Sequence, residues 1–173
     1  GQRMSKSRGN IINPDKIRAE YGADAARVYV SFMGPFDKDK PWDTNGIDGI
    51  KRFMDRIWRL AFNERGEFIA QNEDLSPQLL SLFHKTIKKV TLDIENMSFN
   101  TAISAMMILV NELYKEKKNP RIIIKTLAQL IMPFAPHFAE EIWASAGGDG
   151  YVSLAPWPEY DESLTIDSTF TIG

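Results

Sequence analysis

The stretch IDGIKRFMDRIWRLAF, which runs from Ile47 to Phe62, decides the fold class of this protein. Its apolar residues recur at positions 47, 50, 53, 54, 57, 58, 60 and 61, a spacing that places them on one side of an α-helix. The pattern predicts a helix from Ile47 to about Arg65, with Asp43 or Thr44 as its cap and Gly66 as its stop. Such an amphipathic helix packs its apolar side against other helices.

Apolar residues at helical spacing continue from here to Gly147. Further helices are expected to open at Ser76-Pro77, at Ser98 or Asn100 and at Pro120, and a short one to run from Pro136 to Ala146. Pro133 and Pro136 are expected to interrupt the series. The aromatic and methionine residues at this spacing are predicted to be core: Phe53, Trp58, Phe62, Phe83, Phe99, Phe134, Phe138, Trp143, Met54, Met97, Met106, Met107 and Met132.

Two short helices are predicted ahead of the long one. Asn13-Pro14-Asp15 is typical of a helix start, and the helix it opens should stop at Gly22. A second helix should begin at Asp24 and end at Gly34-Pro35. The charged connection FDKDKPWDTNG, residues 36–46, is interpreted as the main domain boundary.

The end of the chain, YVSLAPWPEYDESLTIDSTFTIG, shows no helical period. It is predicted to be an extended strap over the helices, anchored by Trp157 and Tyr160, and its last residues follow a β-like pattern. The predicted fold is all-α: an antiparallel helix bundle at residues 46–148. A small helical connecting subdomain with an opening loop precedes it at 1–45, and the strap follows at 149–173.

Composition excludes several classes of site. The 173 residues include no cysteine, which rules out disulfides and thiolate metal sites, and only His84 and His137 could supply imidazole, so no metal site is predicted. Neither a GxSxG elbow nor a GxGxxG or GxxxxGK[ST] loop occurs. No apolar run of about 18 residues occurs either, so no membrane contact is expected. The absence of cysteine fits a cytoplasmic protein.

The opening loop RMSKSRGN, Arg3 to Asn10, is too polar to bury itself. Arg3 and Lys6 offer flexible cations, Ser5 and Ser7 offer hydroxyl groups, and Gly9 allows close approach of the backbone. This combination suits a polyphosphate whose charge increases in a transition state. The alternative is a plain terminus rich in serine and lysine.

Two basic groups suit a nucleic-acid backbone. Arg52, Arg56 and Arg59 are spaced i, i+4 and i+7 and therefore align on one helix face. A second group surrounds the corner before and after Pro120, and its members are Lys115, Lys117, Lys118, Arg121 and Lys125. The alternative for both is a solvated surface with ion pairs, for which Asp55 is an obvious partner. The basic residues also precede an acidic end: residues 139–173 contain seven acids and no cation.

The residues RMSKS resemble the KMSKS signature of class I aminoacyl-tRNA synthetases, with Arg3 where the family usually has lysine. Three further stretches are similar to bacterial leucyl-tRNA synthetases: FMGPFDKDKPWDTNGIDGIKRFMDRIWRL, FNTAISAMMILVNEL and LIMPFAPHFAEEIWASAGG. The resemblance covers nearly the whole chain in order. It implies a bundle of the anticodon-binding type and a fragment of a longer enzyme, which should be inactive without its Rossmann domain.

The resemblance also implies partners and roles. The parent activates leucine with ATP and Mg²⁺ and charges tRNA(Leu), as a cytoplasmic enzyme that is expected to be a monomer; no cofactor is expected in the fragment. Lys6 would be catalytic, and Arg3, Met4, Ser5, Lys6 and Ser7 would bind ATP. The tRNA-binding residues would be Arg52, Arg56, Arg59, Lys115, Lys117, Lys118 and Arg121.

Three other hypotheses remain open on the sequence. One is an RNA-binding module without an enzyme parent, in which the opening loop is a basic arm. Another is a structural bundle that binds protein through its acidic strap. The third is the same region of an isoleucyl, valyl or methionyl synthetase, which shares the loop and the bundle.

Overall fold

The computed structural model describes residues 2–35 and 37–166, and these residues form helices without a named strand. Three short 3-10 turns at Lys6–Arg8, Val152–Leu154 and Glu162–Thr165 accompany the α-helices. The α-helices in these ranges are α1 Pro14–Tyr21, α2 Ala23–Phe32, α3 Thr44–Ala61, α4 Pro77–Glu95, α5 Phe99–Glu116, α6 Arg121–Ile131 and α7 Pro136–Ser145. The predicted all-α bundle is confirmed.

Three of the predicted helix starts are closed by side-chain caps. The side chains of Asn13 and Asp43 accept hydrogen bonds from the backbone two residues on, and Ser76 Oγ accepts from Leu79 N–H at 3.1 Å. Each cap satisfies an amide that the first turn of a helix leaves without a partner. Asp43 is therefore the cap of α3, although the helix begins at Thr44 rather than Ile47.

The predicted end of α3 at Arg65 is wrong, because the helix stops at Ala61. Phe62 is extended and forms an antiparallel bridge with Phe68, and Ile69 N–H donates to the Ala61 carbonyl at 2.7 Å. Between them the Asn63 side chain accepts from the N–H groups of Arg65 and Glu67. This asparagine turn offers the backbone a hydrogen-bonded alternative to another helical turn.

The predicted core is confirmed with one exception. The aromatic residues named above are buried or packed against the buried cluster, and so are Met54, Met106, Met107 and Met132. Met97 is instead 52% exposed and adopts φ 58° in the turn between α4 and α5. Met97 lies beyond the end of α4 at Glu95, so the helical period does not determine the exposure of this residue.

Helices α4 and α5 pack along each other across this short turn, and α6, the most deeply buried helix, packs against α7. Helix α2 lies against α3 and α5, and its Val28 and Tyr29 belong to the same buried cluster as the bundle. The proposed boundary near residue 45 therefore has shared core on both sides and stays a prediction.

The strap lies on the bundle as predicted. Trp157 and Tyr160 pack against the core, and Trp157 Nε1 donates to Thr91 Oγ1 at 2.8 Å. Its turn at 162–165 is bound to α4, where Ser81 Oγ donates to the Leu164 carbonyl at 2.8 Å. The predicted β-like pattern at the end of the chain falls on residues 167–173, outside the described part. No helix in the described part is both long and apolar enough to cross a bilayer.

Candidate phosphate loop and nucleic-acid interface

The opening loop folds into a closed turn. Lys6–Arg8 form one 3-10 turn, and Gly9 ends it at φ +63°, a conformation that favours glycine. The Asn10 side chain ties the two ends of the loop, because its Oδ1 accepts from Ser5 N–H at 2.9 Å and its Nδ2 lies 3.4 Å from the Arg3 carbonyl. Arg8 Nη1 also lies 3.5 Å from the Arg3 carbonyl, so backbone, amide and guanidinium groups together hold the loop in this turn.

The side chains that the sequence predicts to bind ATP mostly face solvent. Arg3, Met4, Lys6 and Ser7 are exposed, and Ser5 is half-buried. The hydroxyl oxygens of Ser5 and Ser7 lie 3.2 Å apart, next to the Lys6 position. Two hydroxyl groups and a lysine at the tip of one turn can contact adjacent oxygens of a polyphosphate.

The three arginines of the row on α3 differ in exposure and in contacts, which their spacing does not predict. Arg52 and Arg59 are exposed, whereas Arg56 is half-buried. Arg56 Nη1 donates to Asn111 Oδ1 at 2.6 Å, and its guanidinium stacks 4.4 Å above the centre of the Tyr114 ring. Both partners are neutral, so these contacts join α3 to α5 without offsetting the positive charge of Arg56.

Asp55 does not neutralise this row. Its carboxylate pairs with Lys51 at 3.7 Å, one turn earlier on the same helix. The pair is exposed, so it contributes little to stability.

The second basic group meets a mixture of partners at the corner between α5 and α6. Lys115 Nζ donates to Glu112 Oε1 at 2.9 Å, and this hydrogen bond together with the glutamate charge raises the pKa of Lys115. Lys118 Nζ donates to the Asp74 carbonyl at 2.6 Å, and the Arg121 guanidinium lies 5.4 Å above the Phe68 ring. Lys117 caps α5 in a left-handed conformation and is exposed. The fifth member, Lys125, donates from Nζ to the Gly147 carbonyl at 3.1 Å, so Lys115 is the only one of the five for which the described contacts include a carboxylate.

The contacts bring the two basic groups into one region. Arg56 touches Tyr114, the residue before Lys115, and Tyr114 Oη donates back to the Arg56 carbonyl at 2.9 Å. Asn119 Nδ2 donates to the Leu60 carbonyl at 3.2 Å, which places the corner beside the end of α3. Below, the term basic face denotes Arg52, Arg56, Arg59, Lys115, Lys117, Lys118 and Arg121.

Each of the two histidines contacts an aspartate residue that is distant in the sequence. Asp161 N–H donates to Nδ1 of the half-buried His84 at 3.0 Å. Nδ1 of His137, at the first turn of α7, lies 3.0 Å from Asp24 Oδ1. Only the structure reveals this second pair, because 113 residues separate its members. The described residues contain no group of three acids or histidines arranged to hold a metal ion.

Two protein-family models match this chain, one at each end. Residues 77–172 match the family described as the anticodon-binding domain of tRNA ligase, and residues 1–43 match class I tRNA synthetases for isoleucine, leucine, methionine and valine.

Individual relatives are similar over the full chain. A leucine–tRNA ligase of Bdellovibrio bacteriovorus is 59% identical over 100% of this chain and 22% of its own length, and one of Chlorobium phaeovibrioides is 49% identical over 99% and 22%. A ternary complex of Agrobacterium radiobacter K84 agnB2 LeuRS with tRNA and LeuAMS matches with a TM-score of 0.80 and 30% identity. It covers 96% of this chain and 24% of its own. The chain thus spans about a fifth of the length of these relatives, and it belongs to the family of anticodon-binding domains of tRNA ligases.

Proposed function

We propose that this chain is the part of a leucine–tRNA ligase that supplies the ATP-phosphate loop and a helical bundle for the body of tRNA(Leu). The observation that carries the proposal is the exposed Lys6 at the tip of the turn closed by Asn10. This turn lies in the segment similar to class I synthetases, and the segment matched by the anticodon-binding family follows later in the same chain. The nucleotide fold that forms the adenylate would be supplied by residues outside this chain.

The proposed division of the chain follows the same comparison. The class I match ends at residue 43, and α3 begins at Thr44. This agreement supports a first boundary near residue 45, between a loop and connecting subdomain at 1–45 and a bundle at 46–148. A strap at 149–173 is proposed to follow the bundle. The whole ligase is proposed to act in the cytoplasm as a monomer.

The loop would act on the phosphates of ATP. Lys6 Nζ, assisted by Arg3, would contact the β- and γ-phosphates while the leucine carboxylate attacks the α-phosphorus. The bond from that phosphorus to the bridging oxygen breaks, and the electron pair leaves with pyrophosphate. Lys6 accelerates this step because its interaction strengthens as the leaving group gains charge. Ser5 and Ser7 would bond phosphate oxygens, and Met4 would contact ATP from the same loop.

The donor set of the loop fits phosphate better than Mg²⁺. Residues 2–10 contain cations, hydroxyls and amides but no carboxylate, and carboxylate and phosphate oxygens are the ligands that Mg²⁺ prefers. An ATP-bound magnesium ion would therefore take its protein ligands from outside the loop.

The basic face would bind the phosphates of the tRNA body. Arginine forks and lysine ammonium groups suit phosphate oxygens, and contacts of this kind fix the orientation of an RNA without reading its sequence. Within the described residues the aromatic side chains of the bundle helices mostly pack into the core, which disfavours the stacking of splayed bases on this surface.

The amino acid is assigned as leucine from the relatives, since the class I match alone fits four amino acids. The test is amino-acid-dependent ATP–pyrophosphate exchange by the whole ligase. Leucine is expected to support exchange and tRNA(Leu) to be charged, while isoleucine, valine and methionine support exchange only weakly. Exchange driven best by another amino acid would reject the leucine assignment, and the absence of any exchange would favour a binding module.

A further inference from the structure

Helix α2 holds the corner between α6 and α7 with two side chains of opposite charge. Asp24 Oδ2 accepts a hydrogen bond from the Phe138 N–H at 2.6 Å, while its Oδ1 contacts His137. Arg27 donates from Nε to the Phe134 carbonyl at 3.1 Å and from Nη2 to the Pro133 carbonyl at 2.9 Å. Asp24 and Arg27, three residues apart on one face of α2, are called the polar clasp below.

Each charge of the clasp is opposite in sign to the partial charge of the helix end that it contacts. The Asp24 carboxylate meets the first turn of α7, where N–H groups lack helical partners, and Arg27 meets carbonyls just beyond the end of α6. Asp24 is only 9% exposed, so loss of these bonds at a site that stays buried would leave its carboxylate without a partner. The clasp is therefore directional, whereas the apolar packing of α2 on α3 and α5 is not.

The clasp lies on the route from the opening loop to the bundle. The loop with Lys6 leads into α1, and α1 packs chiefly on α2. The position of Lys6 relative to the bundle therefore depends on how α2 is held.

A cleft lies beside the clasp. The cleft, of about 270 Å³, separates Tyr21 and Ala25 from Met54, Trp58 and Phe138. Ala25 and Phe138 are the direct neighbours of Asp24 and His137 in the chain. The polar bonds of the clasp lie at the edge of this cleft, where they add to the apolar packing that holds α2.

We infer that the polar clasp positions the Lys6 loop for adenylate formation, with Asp24 and Arg27 as positioning residues that act through Lys6. The inference rests on the proposed function, because it assigns Lys6 to the phosphates of ATP. It predicts that breaking the clasp lowers the turnover of a reaction that neither side chain touches.

The test is a kinetic double-mutant cycle in the whole ligase, read as leucine-dependent ATP–pyrophosphate exchange. Asp24→Asn and Arg27→Gln should each lower kcat about 10-fold, since small displacements of a catalytic group have effects of this size or larger. In a Lys6→Ala background the same substitutions should change kcat less than twofold, because the group that they position is gone. The KM for leucine should stay within twofold in every variant.

Asp15→Asn is the matched control, since it removes the charge of an exposed aspartate at the first turn of α1 that pairs only with Arg18 in the described contacts. It should leave kcat unchanged. Arg27 is exposed, so Arg27→Gln remains informative if Asp24→Asn fails to fold, and thermal unfolding identifies that case. An unchanged kcat in Arg27→Gln would overturn this inference and leave the proposed function standing. Equal losses of kcat in the presence and in the absence of the Lys6 side chain would do the same. Absence of leucine-dependent exchange in the unsubstituted ligase would overturn the proposed function, and the inference with it.

Discussion

At the scale of single residues, Tyr29 and Gly46 determine how α2 meets α3. Tyr29 Oη donates to the Asp43 carbonyl at 2.5 Å and accepts from the Asp43 N–H at 3.2 Å, so one phenol satisfies both backbone groups of the α3 cap residue. The phenol ring lies directly against Gly46. A Cβ at this position would come within 2.5 Å of Tyr29 Cε2, where there is no room for it.

Gly46→Ala is therefore expected to destabilise the protein by about 1–3 kcal/mol, the usual effect of adding a carbon to a filled contact. The measurement is urea unfolding. The matched control is Gly49→Ala on the same helix, where the nearest atom to an added Cβ is Arg52 Nη2 at 3.8 Å. This control should gain about 0.5–1 kcal/mol, because alanine is the better helix residue. Equal effects of the two substitutions would contradict the packing described for Tyr29.

Residues that act on their immediate neighbours are the ones that sequence reasoning found. Asn13, Asp43 and Ser76 cap helices within two or three residues, so a local pattern contains the necessary information. The Asp24–His137 pair joins residues 113 apart, and no periodic pattern encodes such a contact. Met97 looks like core by spacing, yet the turn geometry around it decides its exposure.

At the scale of elements, the α3 row divides into two kinds of arginine. Arg52→Ala and Arg59→Ala should each weaken RNA binding with little effect on stability, since both side chains are exposed. Arg56→Ala should weaken RNA binding and also lower stability by about 1–2 kcal/mol, because it breaks the bond to Asn111 and the stack on Tyr114. Filter binding with tRNA(Leu) and urea unfolding measure the two effects. A purely structural row would show no change in binding for Arg52→Ala.

Trp157 is one of the side chains that anchor the strap. Trp157→Ala should destabilise the protein by about 2–4 kcal/mol, because it removes a large packed ring and its hydrogen bond to Thr91. Leu154→Ala in the same strap is the control and should have almost no effect, since Leu154 is 82% exposed. Thermal unfolding distinguishes the two. Similar stabilities for both variants would mean that Trp157 does not anchor the strap.

Helix ends show why element boundaries were harder to predict than element types. The listed apolar positions of α3 end at Ala61, and the predicted end near Arg65 rests on Gly66 as a stop signal. The chain instead leaves the helix at Phe62, which pairs with Phe68 across a small bridge. An amphipathic pattern records which residues are buried and does not distinguish the last helical turn from a bridge that packs on the same core.

At the scale of the whole molecule, the basic face should dominate RNA affinity through the release of counterions. The slope of log K against log salt concentration should be negative. Arg52→Ala with Arg59→Ala should reduce its magnitude by about 0.7–0.9 for each phosphate that the protein no longer neutralises. The measurement is filter binding of tRNA(Leu) to the chain over a salt series. An affinity that does not change with salt would contradict phosphate binding by this face.

The basic face also shows how far the sequence predicts a surface. Spacing aligned Arg52, Arg56 and Arg59 on one helix, and the structure adds that Arg56 bridges to Tyr114 and so joins this row to Lys115 and its neighbours. Helical periodicity gives the face of one helix. Which faces of two helices become neighbours depends on packing, which only the folded chain determines.

The measurement that tests the central claim most directly is leucine-dependent ATP–pyrophosphate exchange by the whole ligase with Lys6→Ala. The control is Lys16→Ala, an exposed lysine on α1 ten residues further along. Loss of the Lys6 ammonium should lower kcat by about 100-fold or more, in the range found when one transition-state donor is removed, while Lys16→Ala stays near the unsubstituted rate. Near-normal exchange with Lys6→Ala would contradict the claim that this loop binds the phosphates of ATP.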